Sequence, residues 1–265
     1  MRYTLFRLNP TKFLTIVIIF GIFISLMSTS WSNGKLIRPN AWPFIVEIVS
    51  AIWSLDLSTE FLKIAINSTS ITVGYAASGL SLAVLLALPL GILASGTLFR
   101  SLVVRVVGMV SIRSVLALLR SIHELVWAWL IIVAIGFSPA AAILAIAIPY
   151  SAILARIYAD LLNDVPQEPI VALRASGANE LKVLLYGRLS MALPNMLSYT
   201  FYRFECAIRS AAIFSFVGVG GLGYQIQLSM DDLRFEQVWT LLAFLVFVIA
   251  FVDLWSNLVR SKLVG

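Results

Sequence analysis

The chain has 265 residues, of which 60% are hydrophobic and 12% charged, with a formal net charge of +6 and a mean hydropathy of +0.97. Soluble domains carry about 45–50% apolar and about 25% charged residues. The composition therefore argues against a water-soluble globule, a disordered chain or a fibrous repeat. A spanning helix takes about 20 apolar residues, which leaves no room for a soluble catalytic or nucleotide-binding domain beside a handful of spans. One cysteine, Cys206, and one histidine, His123, rule out an intrachain disulfide and disfavour a His/Cys metal centre, which needs three or four ligands.

Arg2, Arg7 and Lys12 precede an apolar run from Phe13 to Met27 that no Ala-x-Ala cleavage pattern follows. This predicts an uncleaved first span with a cytoplasmic N-terminus. Residues 31–63 carry Trp31, Pro39, Trp42, Pro43 and Trp53 with Glu47, Asp56 and Glu60. They read as an external segment against the membrane interface, partly amphipathic helix. The second span is expected from Thr69 to Leu93, where Gly74, Gly79 and Gly91 let helices approach closely. Arg100, Arg105 and Arg113 interrupt the next apolar stretch. Each costs about 2.5–3.5 kcal/mol near a bilayer centre, so an interfacial helix is expected there.

Gly136-Phe137-Ser138-Pro139 is a turn signal inside the uncharged stretch Leu125 to Ala155. It divides a third span, Ala117 to Gly136, from a fourth, Pro139 to Leu161. Asp160 to Leu193 is the longest polar segment. Pro166 and Pro169 open a helix there and Gly177 closes it; Leu181 to Met191 reads as a second short helix ending before Pro194. The fifth and sixth spans are expected at Met196–Val217 and Val238–Leu258, separated by a glycine cluster and by Asp231, Asp232 and Glu236. Lys35, Arg38, Lys63 and Arg234 then fall outside, against thirteen basic residues at inner positions, from Arg2 and Arg7 to Arg260 and Lys262. Both termini are accordingly placed in the cytoplasm.

Few residues could carry chemistry. Gly218, Gly220, Gly221 and Gly223 follow a membrane helix rather than a strand, so they read as a re-entrant turn, hinge or gate rather than a dinucleotide loop. Glu205 and Arg209 stand four apart on one helix face. They are either a self-neutralising pair or an anion-attracting arginine beside the path, held by Glu205 or Glu124. No catalytic constellation, metal site or nucleic-acid signature stands out; if the chain moves something uphill, the energy source is an ion gradient or another subunit.

Val171-Ala172-Leu173-Arg174-Ala175-Ser176-Gly177-Ala178, followed by a short helix and Leu193-Pro194, resembles the cytoplasmic coupling loop of ATP-binding-cassette importer permeases. Arg120-Ser121-Ile122-His123-Glu124-Leu125-Val126-Trp127-Ala128, the segment Ser198 to Arg209, and Val217 to Gly223 are similar to the phosphonate-importer permeases within that family. Val171 stands where the family has Glu, His123 where it has Pro, and Ser190 where the first Leu-Pro proline is expected. The resemblance implies an all-α membrane protein of about six spans with the type I importer permease architecture. It divides the chain into 1–64, a first span and external segment, and 65–265, a permease core with its coupling loop at about 162–194. Ala172, Leu173, Ala175, Gly177 and Ala178 would form the ATPase-coupling loop. Glu124, Glu205 and Arg209 are assigned to the translocation path, and the four glycines to a gate. The implied partners are ABC ATPase subunits, an external or periplasmic solute-binding protein, a second permease copy in a homodimer, and membrane lipid. No nucleic acid and no bound cofactor is expected; ATP is used by the partner ATPase. The protein is placed in the bacterial inner membrane, carrying phosphonate or phosphite, with phosphate or an amino acid, or a gradient-driven carrier, as alternatives.

Overall fold

The computed structural model describes residues 10–28, 41–99 and 101–264. Arg2, Arg7, Trp31, Lys35, Arg38, Pro39 and Arg100 lie outside the described residues. Among the described residues every regular element is helical and none is a strand. Residues 1–50 and 51–265 form separate units. The first contains α1 (Pro10–Ser28), apolar from Phe13 to Met27 apart from Thr15 and Ser25, and α2 (Ala41–Ser50), a short helix with Trp42, Phe44 and Val49 exposed.

In the second unit α3 (Thr59–Ser95) begins ten residues before the expected span. Ser58 Oγ caps it by accepting from the Phe61 N–H, and it ends where Gly96 turns left-handed. Its 37 residues are about 55 Å long, well beyond a hydrocarbon core of about 30 Å. It packs chiefly against α6 (Pro139–Asn163). The seam is built from small residues, because lipid offers helices no hydrophobic reason to associate and close backbone contact must do it instead. Ala76, Ala83, Ala87 and Ala94 of α3, and Ala145, Ala152, Ala155 and Ala159 of α6, are buried at helical spacing. A Cβ on Gly79 would stand 2.8 Å from the Ile146 Cβ, and one on Gly91 would stand 2.9 Å from the Tyr158 Cβ and 3.0 Å from the Ala155 carbonyl oxygen. Gly74, grouped with them in the sequence, faces open space.

The third span departs from expectation. α4 (Leu102–Ser121) stops at Ile122 and His123, which are both extended, and α5 (Glu124–Ile135) starts anew. His123 Nδ1 accepts from the Leu125 N–H at 3.2 Å, so the histidine that replaces proline caps α5. Trp127 Nε1 donates to the Leu119 carbonyl at 3.1 Å and satisfies the last turn of α4. By length and composition the membrane candidate is α4, not residues 117–136. Yet Arg113 of α4 donates to the Ala94 carbonyl at 3.0 Å, at the C-terminal end of α3. The middle of α4, with Met109 beside Gly96, therefore lies against that end.

The proline boundary at Pro194 also fails. α7 (Gln167–Ala175) is followed by one continuous helix from Glu180 to Phe214. It contains α8 (Glu180–Lys182), a π-helical stretch Val183–Leu189 and α9 (Ser190–Phe214), with Pro194 inside α9. The wider π winding just upstream changes the carbonyl register before the proline that lacks an N–H to donate. A second π turn, Ser215–Val219, leads to α10 (Leu222–Asp231), bent 53° from the helix before it. α11 (Phe235–Val264) closes the unit against α9. Among the described residues five helices are long and apolar enough to cross a membrane, or six if the bent pair is one span.

Candidate functional site

Three places hold the residues singled out in the sequence. The first is the loop at the end where α6 finishes. Ile170 is fully buried and Leu173 partly so, and both press on Gly187, where a Cβ would meet their Cδ1 atoms at 2.9 Å. α7 is closed by two hydrogen bonds: the Gly177 N–H to the Arg174 carbonyl at 3.0 Å, and the Ala178 N–H to the Leu173 carbonyl at 3.1 Å. That pairing is a Schellman closure and requires a left-handed residue, which Gly177 supplies at φ +85°. Asn179 Oδ1 then accepts from the Lys182 N–H and starts the next helix. Arg174 forks onto Glu180 at 3.2 and 2.9 Å across the turn. Ala172, Ala175 and Gly177 face outward beside Val171, which is 60% exposed. The loop is thus pinned on one apolar face and open on the other.

The second place is the polar interior. Glu205 and Arg209 form an ion pair, with the carboxylate mostly buried and the guanidinium half exposed. Glu124 does not join them. It accepts from Ser210 Oγ at 2.7 Å, and Ser210 lies 3.0 Å from the hydroxyl of fully buried Tyr150. Because Ser210 gives its single proton to Glu124, Tyr150 is the donor to Ser210. The chain Tyr150–Ser210–Glu124 ties α6, α9 and α5 together. Arg203, left without a role in the sequence, sits among three tyrosines: its guanidinium is 5.7, 5.3 and 5.8 Å from the ring centres of Tyr150, Tyr199 and Tyr202. It donates to the Tyr199 hydroxyl at 2.9 Å and forms no ion pair among the described residues. Tyr199, Tyr202 and Arg203 share a helix face by spacing, which was legible; Tyr150 comes from α6 and was not.

The third place is the glycine turn. Gly218, Gly220 and Gly221 all have positive φ. A Cβ on Gly221 would meet Ser215 Oγ and Thr72 Oγ1 at 2.7 Å, and one on Gly223 would stand 2.0 Å from the Ala212 carbonyl. Thr72 Oγ1 accepts from the Leu222 N–H at 2.9 Å and the Tyr75 hydroxyl donates to the Val219 carbonyl at 2.9 Å. Two α3 residues, unmarked in the sequence, thus clamp the turn.

The chain matches, over residues 10–264, the profile of the binding-protein-dependent transport system inner membrane components. HtxC of Stutzerimonas stutzeri, a proposed phosphite transport system permease protein, is 27% identical over 90% of this chain and 84% of its own length. HtxE of the same organism, likewise a proposed phosphite transport system permease protein, is 35% identical over 57% of this chain, which spans 58% of HtxE. In fold, the chain is similar to a chain of the MetNI methionine ABC transporter, with TM-score 0.69 and 20% identity over 79% of this chain and all of that one. The bundle, the loop and the match over residues 10–264 lead to one conclusion: the chain belongs to the binding-protein-dependent transport system inner membrane component family and is a multi-pass membrane protein with the type I ABC importer permease fold.

Proposed function

We propose that two copies of this chain form the membrane pathway of an ATP-driven importer of phosphite or phosphonate. Separate ATPase subunits dock on the outward face of α7, on the cytoplasmic side, and an external binding protein delivers the substrate. Both termini then lie in the cytoplasm. The observation that carries this reading is the loop itself. A short helix closed by Gly177, fixed on the bundle through Ile170 and Leu173 and bare on its far face, can pass a rigid-body movement from a docked subunit to the long helices.

The tyrosine-lined Arg203 supports an oxyanion cargo. Arg209 is neutralised by Glu205, whereas the charge of Arg203 is held by ring faces and a hydroxyl. It is therefore the better candidate to meet an anion inside the bundle, with Arg209 and Glu205 as a structural pair. The glycine turn serves as the gate, pivoting where Thr72 and Tyr75 hold it.

The test is a mild-detergent pull-down of the tagged chain, followed by titration of the co-purified binding protein with phosphite, phosphonate and phosphate. Recovery of an ATPase and a binding protein that takes up phosphite or phosphonate supports the reading. A chain that transports while repeatedly recovered alone overturns it. In proteoliposomes, Arg203→Gln should cut uptake at least tenfold, while a variant carrying both Glu205→Gln and Arg209→Gln keeps most of it; the reverse ranking would reassign the path.

A further inference from the structure

At the end of the bundle that carries α7, a cavity of about 520 Å³ opens between the α3–α4 turn and the α7–α8 loop. Gly96, Thr97 and Arg105 line it from the first side, and Arg174, Glu180 and Arg188 from the second. Three guanidinium groups and one carboxylate thus meet in one space. Arg174 and Glu180 answer each other through their two-pronged contact. Arg105 and Arg188 enter no ion pair among the described residues, so the cavity keeps two positive charges.

Arg188 is unusual. It is 7% exposed, its Nη1 donates to the Leu162 carbonyl at 2.7 Å, and its Nε is buried with no hydrogen-bond partner. The first bond explains why the side chain is anchored: it satisfies a carbonyl in the last turn of α6. It leaves the positive charge without a counter-ion among the described residues. Buried donors are almost always paired, and a buried arginine ordinarily faces an anion.

We propose that this cavity binds a phosphate-type oxyanion between the guanidinium groups of Arg188 and Arg105, which line it from its two sides. The planar fork of arginine suits tetrahedral oxyanions, and the volume accepts a phosphate together with the start of an ester chain. Two sources share that chemistry: a free phosphate-like ion, or the headgroup phosphate of an anionic phospholipid at the membrane surface. Either would bridge α4 to the α7–α8 loop, fastening the loop to the bundle. The inference is separate from the transport reading, since it concerns binding to the chain itself.

The experiment uses the purified full chain in mild detergent. Equilibrium binding of radiolabelled inorganic phosphate is measured at constant ionic strength set with chloride, and retained lipid is identified by native mass spectrometry. Arg105 is exposed and carries no ion pair, so Arg105→Gln leaves the fold intact, checked by an unchanged melting curve. Saturable phosphate binding, weakened about tenfold or more by Arg105→Gln, establishes a free-ion site. Retained anionic phospholipid that is lost in the same variant establishes a headgroup site. Arg188→Lys, which keeps the charge but removes the fork, should weaken whichever ligand is found. The proposal is overturned if the wild-type chain neither binds phosphate nor retains anionic lipid, or if Arg105→Gln changes neither.

Discussion

Replacing Gly177 tests whether the closure of α7 matters to transport, and the structure sets the size of the effect. A Cβ at this position would meet nothing within 4 Å, so a side chain costs no packing. The cost is in the backbone, because φ is +85°. An ordinary L-residue pays roughly 1–2 kcal/mol in the left-handed region. Part of that returns because alanine reduces the freedom of the unfolded chain by about 0.4–1 kcal/mol relative to glycine. Gly177→Ala should therefore open the two closing hydrogen bonds at a net cost of about 1 kcal/mol, roughly a fivefold shift in the closed population. Gly177→Asn should cost less, since asparagine tolerates this conformation, and Gly177→Val should cost more. Membrane insertion should be equal in all three, because the site is exposed. In proteoliposomes with the ATPase subunits, uptake per ATP hydrolysed should fall in the order Gly, Asn, Ala, Val. Equal coupling in Gly177→Val and wild type would refute the argument that a rigidly closed α7 transmits the movement.

Leu233 presents the same geometry with the opposite sign. It sits at φ 58° where the Leu233 and Arg234 N–H groups close α10 onto the Met230 and Ser229 carbonyls, so Leu233→Gly should relieve strain and stabilise the purified chain by about 1 kcal/mol or less, read as a higher thermal midpoint. The α3 glycines should separate cleanly. Gly79→Ala drives a methyl to 2.8 Å from the Ile146 Cβ and should destabilise by about 1–3 kcal/mol, whereas Gly74→Ala, in open space, should gain about 0.5–1 kcal/mol from helix propensity; thermal melts in one detergent rank them. Asp56, in the turn before α3, accepts from Ser58 and from Gln237 Nε2 at 3.0 Å each. The Ser58 hydrogen bonds, helped by Gln237 and the charge of Arg234, hold its carboxyl below the ordinary value. Its contribution to stability is present above the unfolded carboxyl range and lost as pH falls through the lower folded value, so wild type should lose stability as pH falls below that range, more steeply than Asp56→Asn.

Composition and spacing alone made the chain a multi-span membrane protein, because in lipid a helix must be both long and apolar and such runs are visible one residue at a time. The α6 boundaries, the opening of α7 near Pro166 and its closure at Gly177 were legible for a similar reason: each depends on the local backbone preferences of proline and glycine. The i to i+4 pairing of Glu205 with Arg209 was equally local. Other features required the assembled bundle. Pro194 looked like a stop until π winding carried the helix through it, and Ala117 to Gly136 looked like one span until His123 capped a new helix. Whether Gly74, Gly79 or Gly91 matters depends on which of them faces α6. Glu124 found Ser210 rather than Arg209, Tyr150 joined Arg203 from another helix, and Thr72 and Tyr75 reached across to hold the glycine turn. The hydrogen bonds among these contacts join residues 86 to 150 positions apart. Hydrophobic periodicity specifies which face of a helix turns inward; only tertiary packing decides which neighbour that face meets.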